Sequence, residues 1–356
     1  MAGPAGLECP AGPAAQAEIV VTFFIRRTIG AVLMLFVVSI ATFLIFFGLP
    51  RLAGATPETF AARYLSRTAD AHAQQVFAEK LGFYDPLWMQ YGRWIKAIFV
   101  GTDYDYGTGI EHCAAPCFGY SFRTNHAVWT DLLDRMPVTV SLTVGASILW
   151  LVTGVGVGVL SALRKGSFFD RAAMTGALAG VSLPPYFTGL MFLYFFSYQF
   201  DLTAPGGTYV DFTDNPGEWA YSLILPWITL AMLNAAAYAR FTRAGMLDTM
   251  GEDFIRTARA KGLHERVVVT KHGLRAALTP IITIFGLDVG LLLGGAILTE
   301  STFGLKGLGY FAIDAIGKQD FPQIMGVTMF AAFFVVVANL IVDMLYAVVD
   351  PRVRLS

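Results

Sequence analysis

The residues best placed to do chemistry are Arg256-Thr-Ala-Arg-Ala-Lys-Gly262-Leu263 and, a little further on, His272-Gly-Leu274-Arg275. They lie in a polar stretch between two very apolar ones, and so basic a segment has to sit in water. Gly262 is placed to end one short helix before another begins, as glycine does just past a helix C-cap. The whole reads as a docking surface. Two carboxylates, Asp288 and Asp343, stand inside apolar stretches. An exposed charge near the centre of a bilayer costs roughly 2.5 to 3.5 kcal/mol or more, so neither should face lipid. Asp343 falls one helical turn after Asn339, which predicts an internal hydrogen-bonded pair. Asp288 stands nearly opposite the stripe Gly286, Gly290, Gly294, through which another helix backbone can approach closely. Its carboxylate then looks either into a cavity, the preferred expectation, or into a second protein contact. Cys113 and Cys117, four apart with Pro116 between them, predict a small disulfide ring. Two free thiols, or a weak metal site with His112 or His126, are the alternatives, and no metal site is expected.

The elements that hold these residues follow from composition. The chain is 55% hydrophobic with 14% charged residues and 29 Phe, far more apolar than a soluble core requires. It reads as an all-α, polytopic membrane protein, and its net charge of −1 gives no basic excess for nucleic acid. Apolar runs at 28 to 50, 138 to 163, 172 to 200, 222 to 239, 279 to 299 and 323 to 349 are long enough to cross a hydrocarbon layer of roughly 30 Å, which predicts six transmembrane helices. Arg26 and Arg27 precede the first. Arg164, Lys165 and Arg171 fall in the second connection, eight basic residues lie between Arg240 and Arg275, and residues 201 to 219 carry acids only. Both termini are therefore expected on the cytoplasmic side of the plasma membrane. Residues 1 to 20 read as a disordered leader before a retained first helix over 21 to 50. Cys9 lacks the apolar stretch a lipidated cysteine would need and reads as a free thiol.

Residues 51 to 136 are too long for a connector and too polar to span, and read as a small, mostly helical extracytoplasmic domain. Thr56-Pro57 predicts a helix start, Gly82 a helix stop, and Asp85-Pro86 the start of a helix to about Phe99, with residues 101 to 121 irregular. Gly154-x-Gly156-x-Gly158 has no preceding strand and reads as a packing surface rather than a phosphate turn. Ser182-Leu-Pro184-Pro185 breaks the third span near its middle, and a broken helix in a membrane lines a cavity or packs inside protein.

The basic segment resembles the cytoplasmic coupling motif of ABC importer permeases, with Ala258 and Gly262 matching. Arg256 and Thr257 replace its usual Glu and Ala, and His272 and Arg275 its Ile and Pro. This form is similar to the dipeptide, oligopeptide and nickel branch. Leu81-Gly-Phe-Tyr-Asp-Pro86 with Gln90-Tyr91, Met136-Pro137-Val-Thr139, Leu298-Thr-Glu300-Ser-Thr-Phe303, and Asp343-x-Leu345-Tyr346-Ala-x2-Asp350-Pro351-Arg352 agree in order. The resemblance, from about residue 21 to the end, implies the B-type transmembrane subunit and a type I importer permease fold. Its core would cover 137 to 350, with a coupling loop at 240 to 278 and a cytoplasmic tail at 351 to 356.

The ATPase-coupling residues implied are Glu252, Arg256, Thr257, Ala258, Lys261, Gly262, Leu263 and Leu274, and the pathway residues Pro184, Pro185 and Asp288. No Gly-x4-Gly-Lys-Ser/Thr loop occurs, so ATP and Mg would be bound by partner subunits, with no cofactor in this chain and no enzyme activity of its own. The partners implied are a second homologous permease, two ATPase subunits, an extracytoplasmic substrate-binding protein and membrane lipid. Peptide is the favoured substrate, with nickel chelates, opines or oligosaccharides as alternatives. A proton-driven secondary transporter using Asp288 and Asp343 would need internal repeats, and none is visible.

Overall fold

The computed structural model describes residues 13–64, 70–105 and 109–349. Most of the expected leader, with Cys9, and the tail from Asp350 onward lie outside the described residues. The first helix, α1, is already formed at Pro13, where the described residues begin, and so includes residues expected in the leader. The Ala-rich residues 14 to 18 are strong helix formers. Helix α1 runs Pro13–Phe43 and continues through a wide π turn, Leu44–Gly48, to Leu52. Three helices follow, α2 (Pro57–Tyr64), α3 (Ala71–Lys80) and α4 (Leu87–Val100). The expected irregular stretch contains strands β1 (Thr102–Asp105) and β2 (Ile110–Cys113), paired antiparallel, and a smaller ribbon of β3 (Tyr120–Ser121) with β4 (His126–Ala127). The chain is therefore helical with two small ribbons, not purely all-α. Cys113 and Cys117 are joined by a disulfide.

The remaining helices are α5 (Val128–Leu163), α6 (Phe168–Ser182), α7 (Pro185–Gln199, ending in π turns), α8 (Pro216–Met250), α9 (Asp253–Ala260), α10 (Glu265–Leu293), α11 (Ile297–Phe303), α12 (Leu308–Lys318) and α13 (Phe321–Val349). Among the described residues five helices are long and apolar enough to cross a membrane, or six if α6 and α7, bent by 99°, count as one span. Helix ends depart from the apolar windows. The second span starts at Val128, ten residues early, with Pro137 inside it, and the fourth runs from Pro216 to Met250. The fifth begins at Glu265 and stops at Leu293 rather than at 299, because the chain turns at Gly294–Gly295. Gly295 has φ +129, and a Cβ there would stand 2.7 Å from the Gly309 backbone.

The centre is the pairing of α5 with α8. A Cβ at Gly154 would lie 2.8 Å from Tyr238 Cβ, and one at Gly158 2.7 Å from the Ala239 carbonyl, so both backbones approach through the glycines. Trp150, Leu142, Leu223 and Tyr238 fill the core around them. On α10 the stripe Gly286, Gly290, Gly294 meets Val342, Ala338 and Ala331 of α13. Asp343 of α13 pairs with Arg27 of α1 at 2.8 Å. Its partner is thus on the first helix and not the predicted Asn339, because the salt bridge crosses a helix pair that local spacing does not report. At the other end of the same two helices the Phe46 and Phe321 rings meet at 5.9 Å.

Two buried polar knots fix the ends. Asp170, in the first turn of α6, accepts from the Gly166 N–H at 2.9 Å and from Arg243 of α8 at 2.6 and 2.8 Å, the latter a bidentate geometry. Glu300 of α11, with no exposed surface, accepts from Thr139 Oγ1 of α5 at 2.8 Å and from the Tyr310 N–H at 2.9 Å. Thr139 Oγ1 in turn accepts from the Leu308 N–H at 2.8 Å. Gly154→Val should lower the thermal stability of the detergent-solubilised protein by about 1 to 3 kcal/mol, the usual cost of overpacking. Gly156→Val, where a Cβ meets nothing within 4 Å, should leave it unchanged, as size-exclusion thermal melts would record.

Candidate functional site

Two places gather the residues singled out in the sequence. The first is the end of α8 together with α9 and the start of α10, where the expected coupling loop over 240 to 278 is helical on either side of a tight turn at Gly262. Helix α9 has one apolar edge. Ile255, with no exposed surface, and Ala258 pack on Val268, with Met250 beside them. Asp253 sits in its first turn and Arg259 in its last, each matching the helix dipole. The helix stops as the sequence predicts. The Gly262 N–H donates to the Arg259 carbonyl at 2.9 Å and the Leu263 N–H to the Ala258 carbonyl at 3.4 Å, a Schellman closure with Gly262 at φ +76. Arg259 then grips Glu265 at 3.1 and 2.7 Å, fixing α9 to the start of α10.

This arrangement sorts the predicted residues. Glu252, Arg256, Thr257, Lys261, Gly262 and Leu263 are exposed. Ala258 is buried, and Leu274 packs partly buried beside Met246 and Val269, so these two hold the surface from below rather than forming it. Phe254, 47% exposed, lies on one stripe with Thr257 and Lys261, and Val267 is 38% exposed beyond the turn. Sequence reasoning passed over both. An aromatic residue exposed beside buried Ile255 is the signal that could have found Phe254. The surface offers an apolar ring and aliphatic side chains flanked by cations, at a rigidly built helix end.

The second place is within the spans. Asp288 accepts a hydrogen bond from Tyr238 Oη of α8 at 2.7 Å. Tyr238 is 2% exposed and its ring lies 6.2 Å from that of Trp150. Asp288 is half-buried, on the side of α10 away from α13, and its hydroxyl partner was not evident from spacing. Pro184 and Pro185 stand at the bend between α6 and α7, where Pro184 is the N-cap and Pro185 the first residue of α7. The next turn is covered by protein: a Cβ at Gly189 would stand 3.0 Å from Thr302 and 3.3 Å from Phe303 of α11. A cavity of about 470 Å³ opens between α7 and α11, lined by Leu193, Tyr198, Gly206 and Phe303 among others.

Residues 154–355 match the model described as the binding-protein-dependent transport system inner membrane component, and residues 20–143 match the model for the N-terminal part of such components. The chain belongs to this family. The permease is 35% identical over 354 residues to the dipeptide transport system permease protein DppB of Escherichia coli (strain K12), covering 93% of this chain and 98% of that one. It is 36% identical over 333 residues to the oligopeptide transport system permease protein AppB of Bacillus subtilis (strain 168), covering 93% and 99%. A chain of the MetNI methionine ABC transporter in inward-facing conformations aligns at TM-score 0.49 and 19% identity, over 62% of this chain and 97% of that one. The α9 surface, the proline bend and Asp288 all lie within the first match, whereas α2 to α4 and the ribbons lie largely within the second. The whole α9 surface rests on few side chains. Ile255→Ala should therefore cost about 2 to 5 kcal/mol locally. Hydrogen–deuterium exchange should rise over residues 253–263 and stay unchanged in α5.

Proposed function

We propose that this permease is a channel-forming membrane subunit of an ATP-driven importer that moves di- or oligopeptides across the bacterial plasma membrane. The observation that carries the reading is the identity of 35% and 36% over nearly the whole chain to relatives named for dipeptide and oligopeptide transport. The family description supplies the inner membrane and a separate binding protein. A second permease subunit and two ATPases complete the assembly.

The exposed stripe of Phe254, Thr257 and Lys261, with Leu263 beyond it, supports docking to an ATPase. The Schellman turn and the Arg259–Glu265 clamp make this end stiff, so a push on α9 is delivered to α8 and α10 together. ATP binding closes the ATPases, and the displaced helices turn the pathway from inward-open to outward-open. The excess of Lys and Arg near Arg240–Arg275 supports a cytoplasmic position for this end and for both termini, with residues 51 to 127 and the acid-only segment after α7 outside.

Gly262→Val tests the coupling. A β-branched residue at φ +76 costs about 1 to 3 kcal/mol of local strain, while the open surroundings of Gly262 leave the chain's own packing intact. The variant should insert and copurify with its ATPases yet lose substrate-stimulated uptake. Normal uptake would remove the α9 turn from the mechanism, and failure of the wild type to copurify with any ATPase would remove the importer reading.

Asp288, the carboxylate held by Tyr238, is assigned to the pathway, where it attracts the ammonium end of a passing peptide without holding it tightly. Asp288→Asn should lower uptake more for cationic than for anionic peptides, with assembly and basal ATP hydrolysis near normal. Equal losses for all peptides in a transport assay would make the residue structural.

A further inference from the structure

Helix α4 lies against α1 with an apolar face turned outward. Its inner face is settled: Tyr91 Oη hydrogen-bonds Ser39 Oγ at 2.8 Å, the Tyr91 ring meets Phe36 and Phe43, and the Trp94 ring lies 6.1 Å from that of Phe43. Its start is tied to the end of α1, where Arg51 donates to the Phe83 and Asp85 carbonyls. The depth of these contacts can be read along α1. The Arg27–Asp343 ion pair marks one end of the α1–α13 pair and the Phe46–Phe321 contact the other. At 1.5 Å per residue Ser39 lies about 18 Å and Phe43 about 24 Å from the ion pair, within a hydrocarbon layer of roughly 30 Å. Helix α4 therefore crosses α1 at a level inside the outer half of that layer.

The face of α4 opposite these contacts carries Trp88, Met89, Gly92, Phe99 and Val100, with Ile95 half-buried among them. Trp88 is 71%, Phe99 77% and Val100 67% exposed. In water such a face would be costly. It runs on from the exposed apolar side chains of α1, including Val32, Phe36, Val37 and Leu44. The one cation within the arc is Lys96, whose stem can lie along apolar surface while its ammonium reaches headgroup phosphates.

We infer that α4 is an interfacial helix of the outer leaflet, with Trp88, Met89, Phe99 and Val100 immersed in lipid at the boundary of headgroups and acyl chains. An amphipathic helix with tryptophan and phenylalanine on its apolar side suits that position. The small domain is then not a free extracytoplasmic module but one floored by the bilayer. The inference rests on the membrane placement proposed above and is independent of the substrate.

Spin labels decide it. Phe99→Cys and Met89→Cys, each in a Cys9→Ser background that leaves the Cys113–Cys117 disulfide, are labelled in the assembled importer in phosphatidylethanolamine and phosphatidylglycerol nanodiscs. Val32→Cys on α1 and Ile110→Cys on β2, 60% and 72% exposed, are the lipid and water references. Labels at 99 and 89 should be relaxed several-fold more by oxygen than by a soluble nickel chelate, as at 32 and opposite to 110. Nickel access at 99 and 89 with a normal label at 32 would overturn the proposal while the membrane reading stands. Exclusion of both reagents would overturn it in favour of a protein partner, and a water-like label at 32 would sink the membrane placement itself.

Discussion

The constraint on which the rest depends is the closeness of α5 to α8. Two spans in lipid gain nothing from burying apolar surface against each other rather than against acyl chains, so contact has to come from fit. Gly154 and Gly158 supply it by letting backbone touch backbone. With that distance set, Trp150 and Tyr238 pack, and Tyr238 reaches Asp288 on α10. Arg243, two turns beyond Ala236 on α8, reaches Asp170 at the start of α6 and ties the third span to the same pair. The α9 surface is an outgrowth of this centre, since Met246 and Met250 at the end of α8 form its floor.

Much of this was legible in the sequence, for identifiable reasons. The apolar runs, the Pro184–Pro185 break and the stop at Gly262 depend on local composition and backbone sterics, and the break and the stop are found where expected. Helix lengths were misjudged because hydropathy reports the lipid-facing stretch and not the hydrogen-bonded one. Residues 128–137 and 240–250 are polar enough to fall outside an apolar window yet continue their helices. The partners of Asp343 and Asp288 were hidden because Arg27 and Tyr238 are distant in sequence. Ala258 and Leu274 match a motif, but a motif does not say which side of a helix touches the partner and which side touches the protein.

The small domain is anchored by polar groups. Asp320, at the start of α13, accepts from the Ser121 hydroxyl and from the Gln323 N–H, and burial pushes its carboxyl above the ordinary range against those two bonds. The Gln323 side chain donates to Asp131 at 3.0 Å and to Thr124 at 3.3 Å. The second ribbon is thus held between the starts of α5 and α13, and the aromatic cluster of Phe47, Phe60, Phe77 and Phe83 fills the space toward α1. Strand pairing here follows from contacts with spans that neither hairpin sequence announces.

Glu300 has a mechanical meaning. It binds the beginning of α12 and Thr139 of α5 at once, with no water to exchange for either partner. Helices α11 and α12 are consequently bolted to the second span, although in sequence they trail the fifth. Helix α10 is held to the α5–α8 pair by softer contacts, the Tyr238 hydroxyl on Asp288 and the Phe285 ring 6.0 Å from that of Trp150. If the fifth span is displaced relative to the second, the chain has to give where α10 ends, and the residues there are Gly294 and Gly295, the second already at φ +129.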